Sequence, residues 1–372
     1  MQHRVMVPAV MMMAACALLQ NAPATHAADS PAQAKPQPAQ SATALFPARA
    51  DGKYGFIDRT GRFVIAPQFN SAYRPFRDGR APAAVIDKGV ERWGFIDDKG
   101  TWVVPAIYEN IVEFSEGYAG VKQGGKWGFI DTSGKMVIAP RFVDNPALHA
   151  FHEGLANVVV NGKVGFIDTS GKMVIEPTLV IAGHFHEGLA RASGKGDDGY
   201  IDKSGKFVIA PQFSFAADFS EGLAAVRING DHGKYGYIDK SGKLVIPAQF
   251  DGADKFTEGR AIITNGKLSG FIDTSGKMVV APRYTWAGYL SEGLAMVVAG
   301  TYPNGKLGYI DKSGREVIAP QFRWSSGGRD TSRFRDGLAA VMTANNRSAY
   351  IDNTGKIVWT PEVPARAPAK AN

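Results

Sequence analysis

Cysteine is nearly missing from this chain. Cys16 is the only one in 372 residues, so no intramolecular disulfide can form and stability must come from packing. Long apolar runs are also scarce. One, Val5 to Leu19, is interrupted by Pro8. At about 15 residues it falls short of the roughly 20 needed to span a bilayer as a helix. No later segment is long and apolar enough for a transmembrane helix. The nucleophile signature G-x-S-x-G and the zinc signature H-E-x-x-H are both absent. The stretch from Gly165 to Lys172 only superficially resembles a phosphate loop. Five residues rather than four separate its glycines, and Met173 stands where Ser or Thr would hold magnesium. No loop carries the repeated oxygen ligands of a calcium site. These absences lead us to expect a protein that is not an enzyme and needs no cofactor. Acidic residues are plentiful, so a hydrolase with an unmarked carboxylate pair stays open as a distant alternative.

The N-terminus reads as an export signal. Arg4 supplies the positive start, the apolar run follows, and Thr25-His26-Ala27 before Ala28 fits a cleavage site. Residues 1–27 are thus expected to be a signal peptide, placing the protein in the periplasm or at the cell surface. A lipoprotein signal using Ala14-Ala15-Cys16 is the alternative. Met13 and the apolar Ala17, Leu18 and Leu19 argue against it. Residues 28–50 are Ala, Pro, Gln and Ser with little apolar bulk. They are expected to be a disordered linker, and residues 363–372 a disordered tail. Residues 51–362 remain for the folded part.

That part repeats one phrase: Gly, aromatic, Ile, Asp, polar residues, Gly, basic. It occurs at Gly55-Phe56-Ile57-Asp58 and recurs with aspartates at Asp97, Asp131, Asp168, Asp202, Asp239, Asp273, Asp311 and Asp352. The last copy, Ala349-Tyr350-Ile351-Asp352, has lost the glycine. Successive aspartates are 39, 34, 37, 34, 37, 34, 38 and 41 residues apart, a period that marks stacked repeats or a propeller. The aromatic and β-branched residues suit a strand. Asp131-Thr132-Ser133-Gly134-Lys135 then reads as a type I turn closed by a glycine bulge. A second strand such as Phe207-Val208-Ile209-Ala210 ends at a proline, which cannot donate to a ladder. A polar connector follows, ending in aromatic, polar, acid, Gly, as in Phe219-Ser220-Glu221-Gly222, and leads into a third strand. Several strands carry adjacent apolar residues, so they are buried on both faces or covered by neighbouring copies. The expected fold is all-β: about nine three-strand units forming an open β-solenoid or twisted stack. A β-propeller is the alternative, since closure would remove exposed edges.

The phrases resemble those of the bacterial WG-repeat, or KWG-repeat, family. Lys126-Trp127-Gly128-Phe129-Ile130-Asp131, the following Ser133-Gly134-Lys135, and the Phe-x-Glu-Gly-Leu-Ala phrase carry the likeness over about 310 residues. The resemblance implies a β-rich repeat scaffold, often exported or surface-located, with no catalytic residues. The tryptophan column departs from the pattern. Only Trp93 and Trp127 keep it, and elsewhere it holds Tyr54, Val164, Asp198, Tyr235, Ser269, Leu307 or Ser348.

Four features can carry binding chemistry. The aspartate column reads as nine turn-opening residues more readily than as a ladder of metal or sugar contacts. His149 and His152 lie in one connector and His184 and His186 in the next. His152 and His186 share one slot before Glu153 and Glu187, which can bring imidazoles together for zinc or copper. That slot elsewhere holds Arg77, Ser115, Ser220, Thr257, Ser291 and Arg335, as an exposed polar position would. Trp93, Trp127, Trp286 and Trp324 are candidate platforms for a sugar ligand, with core packing the competing role. The net charge is +7, much of it from Lys135, Lys172, Lys206, Lys243 and Lys277 after the turn glycine. Such a stripe suits an anionic envelope polymer or simply guards strand edges. The sequence therefore points to a non-enzymatic binding or scaffold protein of the cell envelope, with a protein or envelope polymer as partner and nucleic acid not expected. A carbohydrate or peptidoglycan-binding protein is the alternative.

Overall fold

The computed structural model describes residues 44–361, except 73–74, 144–149, 195, 231, 302 and 325–331. The leader, most of the linker, the tail and His149 lie outside the described residues. All regular structure among the described residues is strand. The fifth repeat shows the full unit. Ile181–His186, Leu189–Ser193, Asp198–Ile201 and Phe207–Phe213 pair antiparallel in chain order, a four-stranded meander whose strands are from here on the inner, second, third and outer, the Gly-aromatic-Ile-Asp strand being the third. The inner strand comes from the connector, so the third, fifth, sixth, seventh and eighth repeats each hold one strand more than the three expected.

The folded part begins before residue 51. Phe46–Ala50 is a strand paired with Lys53–Ile57, and Ala44, Leu45 and Phe46 are buried. This corrects the linker boundary. Averaged over residues 28–50, the composition hides a segment that matches the second strand of later repeats. Phe46 faces Ile57 as Ala81 faces Ile96.

The hairpin turn is built as the sequence predicts. Asp131 Oδ1 accepts from the Ser133 amide at 2.9 Å, the Ser133 hydroxyl at 2.6 Å and the Lys135 amide at 3.1 Å. Gly134 takes φ +87°, which a Cβ would disfavour. Equivalent bonds to the aspartate recur in all nine copies, from Asp58 to Asp352. The glycine before the aromatic has a different reason. A Cβ on Gly199 would lie 2.5 Å from the Ile209 carbonyl oxygen, because the outer strand crosses directly over it. In the ninth repeat the outer strand is only Ile357–Trp359, and there Ala349 replaces the glycine.

Third strands are buried on both faces: Phe56 and Ile57 are both fully covered. Outer strands are not. Ile209 is 3 % exposed beside Val208 at 48 %, so the adjacent apolar pair splits between core and solvent.

The cores lie between repeats rather than within them. Phe56 of the first repeat shares a cluster with Ile96 of the second, Phe95 with Ile130, and Phe129 with Ile167. Phe166 joins Ile201, Tyr200 joins Ile238, Tyr237 joins Ile272, Phe271 joins Ile310, and Tyr309 joins Ile351. The ninth cluster brings Tyr350 of the last repeat onto Ile57 of the first. There Phe46 and Tyr350 have ring centroids 5.6 Å apart, and the Tyr350 hydroxyl donates to the Pro47 carbonyl at 2.9 Å. Phe63 meets Trp359 edge-on at 6.3 Å. Of the two arrangements anticipated, the contacts therefore give the closed ring of a propeller. Fully burying each large apolar side chain contributes about 1.5–3 kcal/mol. An open stack would leave the faces of Phe46, Ile57 and Tyr350 in water.

An acidic ladder reinforces the junctions. Glu187, at φ +54°, accepts the Gly222 amide of the next repeat at 3.0 Å. Asp78, Glu116, Glu153, Glu221, Glu258 and Glu292 do the same for Gly117, Gly154, Gly188, Gly259, Gly293 and Gly337. At the seam, Arg59 of the first repeat pairs with Asp336 of the ninth at 3.8 Å. Lys203, Lys240 and Lys312 make the corresponding pairs with Glu153, Glu187 and Glu258.

Candidate functional site at the hub

The inner strands of four successive repeats line one cavity of about 400 Å³. Its wall runs from His184 of the fifth repeat to Tyr289 of the eighth. Repeats that are not neighbours can face a single cavity only where the ring converges, so it lies at the hub. Ala182, Gly183, Ala216 and Ala217 leave the space. His184, Arg191, Asp218, Asp254, Lys255 and Tyr289 supply the polar wall, with Phe215 beside them.

Backbone periodicity and neighbouring contacts fix these side chains. The aromatic of each connector, such as Phe185 or Phe219, is buried in a junction core. The residue just before it consequently faces the other side of the inner strand. That column holds His184, Asp218, Lys255 and Tyr289 in consecutive repeats, with Glu113 and Arg333 as further members. On the second strand, the residue opposite the buried aromatic is Pro47, Pro82, Gly120, Ala225, Ile262, Met296 or Ala340 in seven repeats. In the fourth and fifth it is Asn157 and Arg191. Asn157 is fully buried and donates to the carbonyls of Ala182 and Gly183 at 3.3 and 3.2 Å.

Polar contacts hold the wall. The Tyr289 hydroxyl donates to Asp254 Oδ1 at 2.6 Å, and the Lys255 ammonium lies 5.2 Å from the Tyr289 ring centre. Arg191 pairs with Asp198 at 3.6 Å, and Asp198 also accepts the Ala216 amide at 3.0 Å. Burial raises the Asp198 carboxyl above its ordinary value despite Arg191. Asp198 stands in the tryptophan column, so the departure noted in the sequence places a charge behind this cavity.

The histidines meet here too. His152 lies 4.2 Å from His184 and 5.2 Å from His186 between ring centroids, and His186 Nε2 is 3.6 Å from Asp218 Oδ2. Burial first, and His186 second, hold His152 below the usual imidazole value. Adjacent slots do come together, but the rings pack on one another. Among the described residues, no group of three or more His, Cys, Asp or Glu is arranged to hold a metal ion.

The tryptophans divide. Trp93 and Trp127 are 7 % and 6 % exposed and belong to junction cores. Trp286 and Trp324 are partly buried, 6.1 Å apart, against the eighth-to-ninth core. None lines the hub cavity. Sequence reading missed the hub column itself. Its signal was a position that changes freely between repeats while the Phe, acid and Gly after it stay fixed.

The chain is a repeat-built, all-β ring, an architecture suited to binding or scaffolding. The chain matches the WG containing repeat family over residues 54–85, 93–127, 127–163, 165–196, 199–230, 235–268, 270–300 and 308–346. It belongs to that family. No curated protein matches it in sequence. Among solved structures it is similar to BamB from Moraxella catarrhalis, with 12 % identity, TM-score 0.39, and coverage of 84 % of this chain and 94 % of that one. It is also similar to AztD from Citrobacter koseri, with 15 % identity, TM-score 0.36, and coverage of 75 % and 80 %. The C-terminal WD40 domain of Sif2 matches at 8 % identity, TM-score 0.39, and coverage of 68 % and 84 %. Among the described residues no helix is long and apolar enough to cross a membrane.

Proposed function

We propose that this protein is a non-enzymatic binding or scaffold component of the cell envelope that takes its ligand or partner at the hub cavity. One observation carries the reading. The positions that join repeat to repeat are the same around the ring, while those facing the cavity differ from one repeat to the next. Packing accounts for the first set, whereas of the second only Tyr289 leans on a junction core. Placement in the envelope rests on Arg4, the apolar run from Val5 to Leu19, and the small residues before Ala28. A protein or an envelope polymer is the partner class this suits, and nucleic acid is not.

The test is fractionation of cells making the full chain, with N-terminal sequencing of the recovered protein. A photo-crosslinking residue in place of Lys255 then reports what reaches the hub. The expected result is a chain starting at Ala28 in the envelope fraction and one dominant crosslinked species. Recovery of the uncleaved chain in the cytoplasm would overturn the placement. A crosslinker that captures nothing in intact cells would overturn the assignment of the site.

A further inference from the structure

We infer that the hub cavity of the fifth to eighth repeats binds a small saccharide, held through its hydroxyl groups. This rests on the reading of the chain as a non-enzymatic binding protein and adds the chemistry of what is bound.

Size comes first. At about 400 Å³ the cavity falls in the range of roughly 300–1,000 Å³ typical of small-ligand sites. Its wall comes from four of the nine repeats, with Lys255 exposed upon it, so it is an open recess of the hub sized for a small molecule or the end of a chain. The space depends on missing side chains. A Cβ on Gly183 would stand 2.8 Å from Asp218 Oδ1, and Ala217 is the equivalent residue one repeat on.

Charge comes second. The wall sets Asp218 and Asp254 among Arg191, Lys255 and His184. A simple anion entering would face two carboxylates, and a simple cation would face a guanidinium and an ammonium. A hydroxyl donates and accepts at once, so a ligand carrying several of them can meet both kinds of wall. Several hydroxyls on a compact neutral frame make a saccharide.

Order comes third. Asp254 takes the Tyr289 hydroxyl at 2.6 Å, Arg191 is held by Asp198 at 3.6 Å, and His186 stands 3.6 Å from Asp218. A carboxylate offers about four acceptor positions, so one neighbour orients Asp218 without saturating it. Side chains fixed before the ligand arrives lower the entropy cost of binding.

Calorimetric titration of the full chain tests this, with N-acetylglucosamine, chitotetraose and maltotetraose as probes and glycine betaine as the zwitterionic competitor. The expected result is binding of at least one saccharide, weakened roughly tenfold in Asp218→Asn, the loss of about one charge-assisted hydrogen bond. Gly183→Leu, which fills the space, should abolish it. Should either variant fail to fold, hydrogen exchange on the unaltered protein replaces it. Saccharide is then expected to protect the inner strands Ile181–His186 and Trp286–Ser291, and protection confined elsewhere would sink the inference. Absence of heat with all three saccharides, binding of betaine alone, or unchanged affinity in both folded variants would overturn it as well. Chromatography of the saccharide after incubation separates the two readings. A bound but intact sugar supports both, whereas conversion to product ends the non-enzymatic reading and leaves the hub as the sugar site.

Discussion

Glutamate is an unexpected residue at φ +54°, where glycine and asparagine are at home. Glu153, Glu187, Glu221, Glu258 and Glu292 all adopt this strained form, and each caps a glycine amide in the next repeat. The bond explains the residue. Glu187→Ala keeps the strain and strips the Gly222 amide of its acceptor, so a loss of about 1–2 kcal/mol is expected in chemical denaturation. Glu187→Gln, which still accepts, should recover most of it. The turn aspartates set the acid response. Ser133, through its hydroxyl, and the nearby amides hold the Asp131 carboxyl below the usual carboxylate range. The same pattern centred on Ser313 brings Asp311 down to about 2. A carboxyl lowered on folding stabilises the native state above its unfolded value, and that contribution disappears as pH drops through the folded value. The part of the melting temperature owed to these aspartates is therefore expected to be lost between about pH 4 and 2, below a separate decline that begins near pH 6.5, where His152, held low by burial, resists the proton that the unfolded chain takes up. A His152→Gln variant that still declines between about pH 6.5 and 5 would contradict this assignment.

At the scale of the element, each hairpin turn sits on the outer strand of the repeat before it. Gly205 shows the fit: its φ is +86°, and a Cβ there would lie 2.8 Å from Ile175 Cγ2. Gly205→Ala is expected to cost about 1–3 kcal/mol in thermal or urea unfolding, through the backbone and the clash together. Gly188→Ala has φ +88° with open space around it, so it carries only the backbone part and should cost less. Most of the unit was legible from sequence. Gly-aromatic-Ile-Asp gave the third strand and Asp-x-Ser-Gly-Lys the turn, but the prolines do not end the outer strand: Phe207–Phe213 runs through Pro211, as an edge strand can where no ladder donor is needed. The inner strand was not, because Ala182-Gly183-His184 has neither β-branched bulk nor alternation. It becomes a strand by pairing with Leu189–Ser193, a tertiary effect that local propensity does not encode. Phe46–Ala50 was lost for a similar reason, a short alanine-rich strand attached to an alanine-rich spacer. The His152 and His186 slots were correctly placed side by side. The cavity next to them escaped notice because its residues share a position rather than an identity.

On the scale of the whole molecule, the ninth junction decides whether the ring holds. Phe46→Ala is expected to cost about 3–5 kcal/mol if its cavity stays open. The damage should appear at both ends of the chain together. Hydrogen exchange should speed up in Lys53–Ile57 and Ser348–Asp352, while Asp198–Ile201 on the far side keeps its protection until global unfolding. Loss confined to the first repeat would mean that the last one does not depend on it. Tyr350→Phe, which removes only the bond to the Pro47 carbonyl, should cost about 1 kcal/mol. The division between joint and hub has a further consequence. His184, Asp218 and Lys255 belong to no junction core, whereas Tyr289 leans on the core between the seventh and eighth repeats, so mutations in the first three are expected to change what the protein recognises at little expense to folding. A lineage of such rings can drift from cargo to cargo on an unaltered frame, and an engineer can retarget one by rewriting a single column.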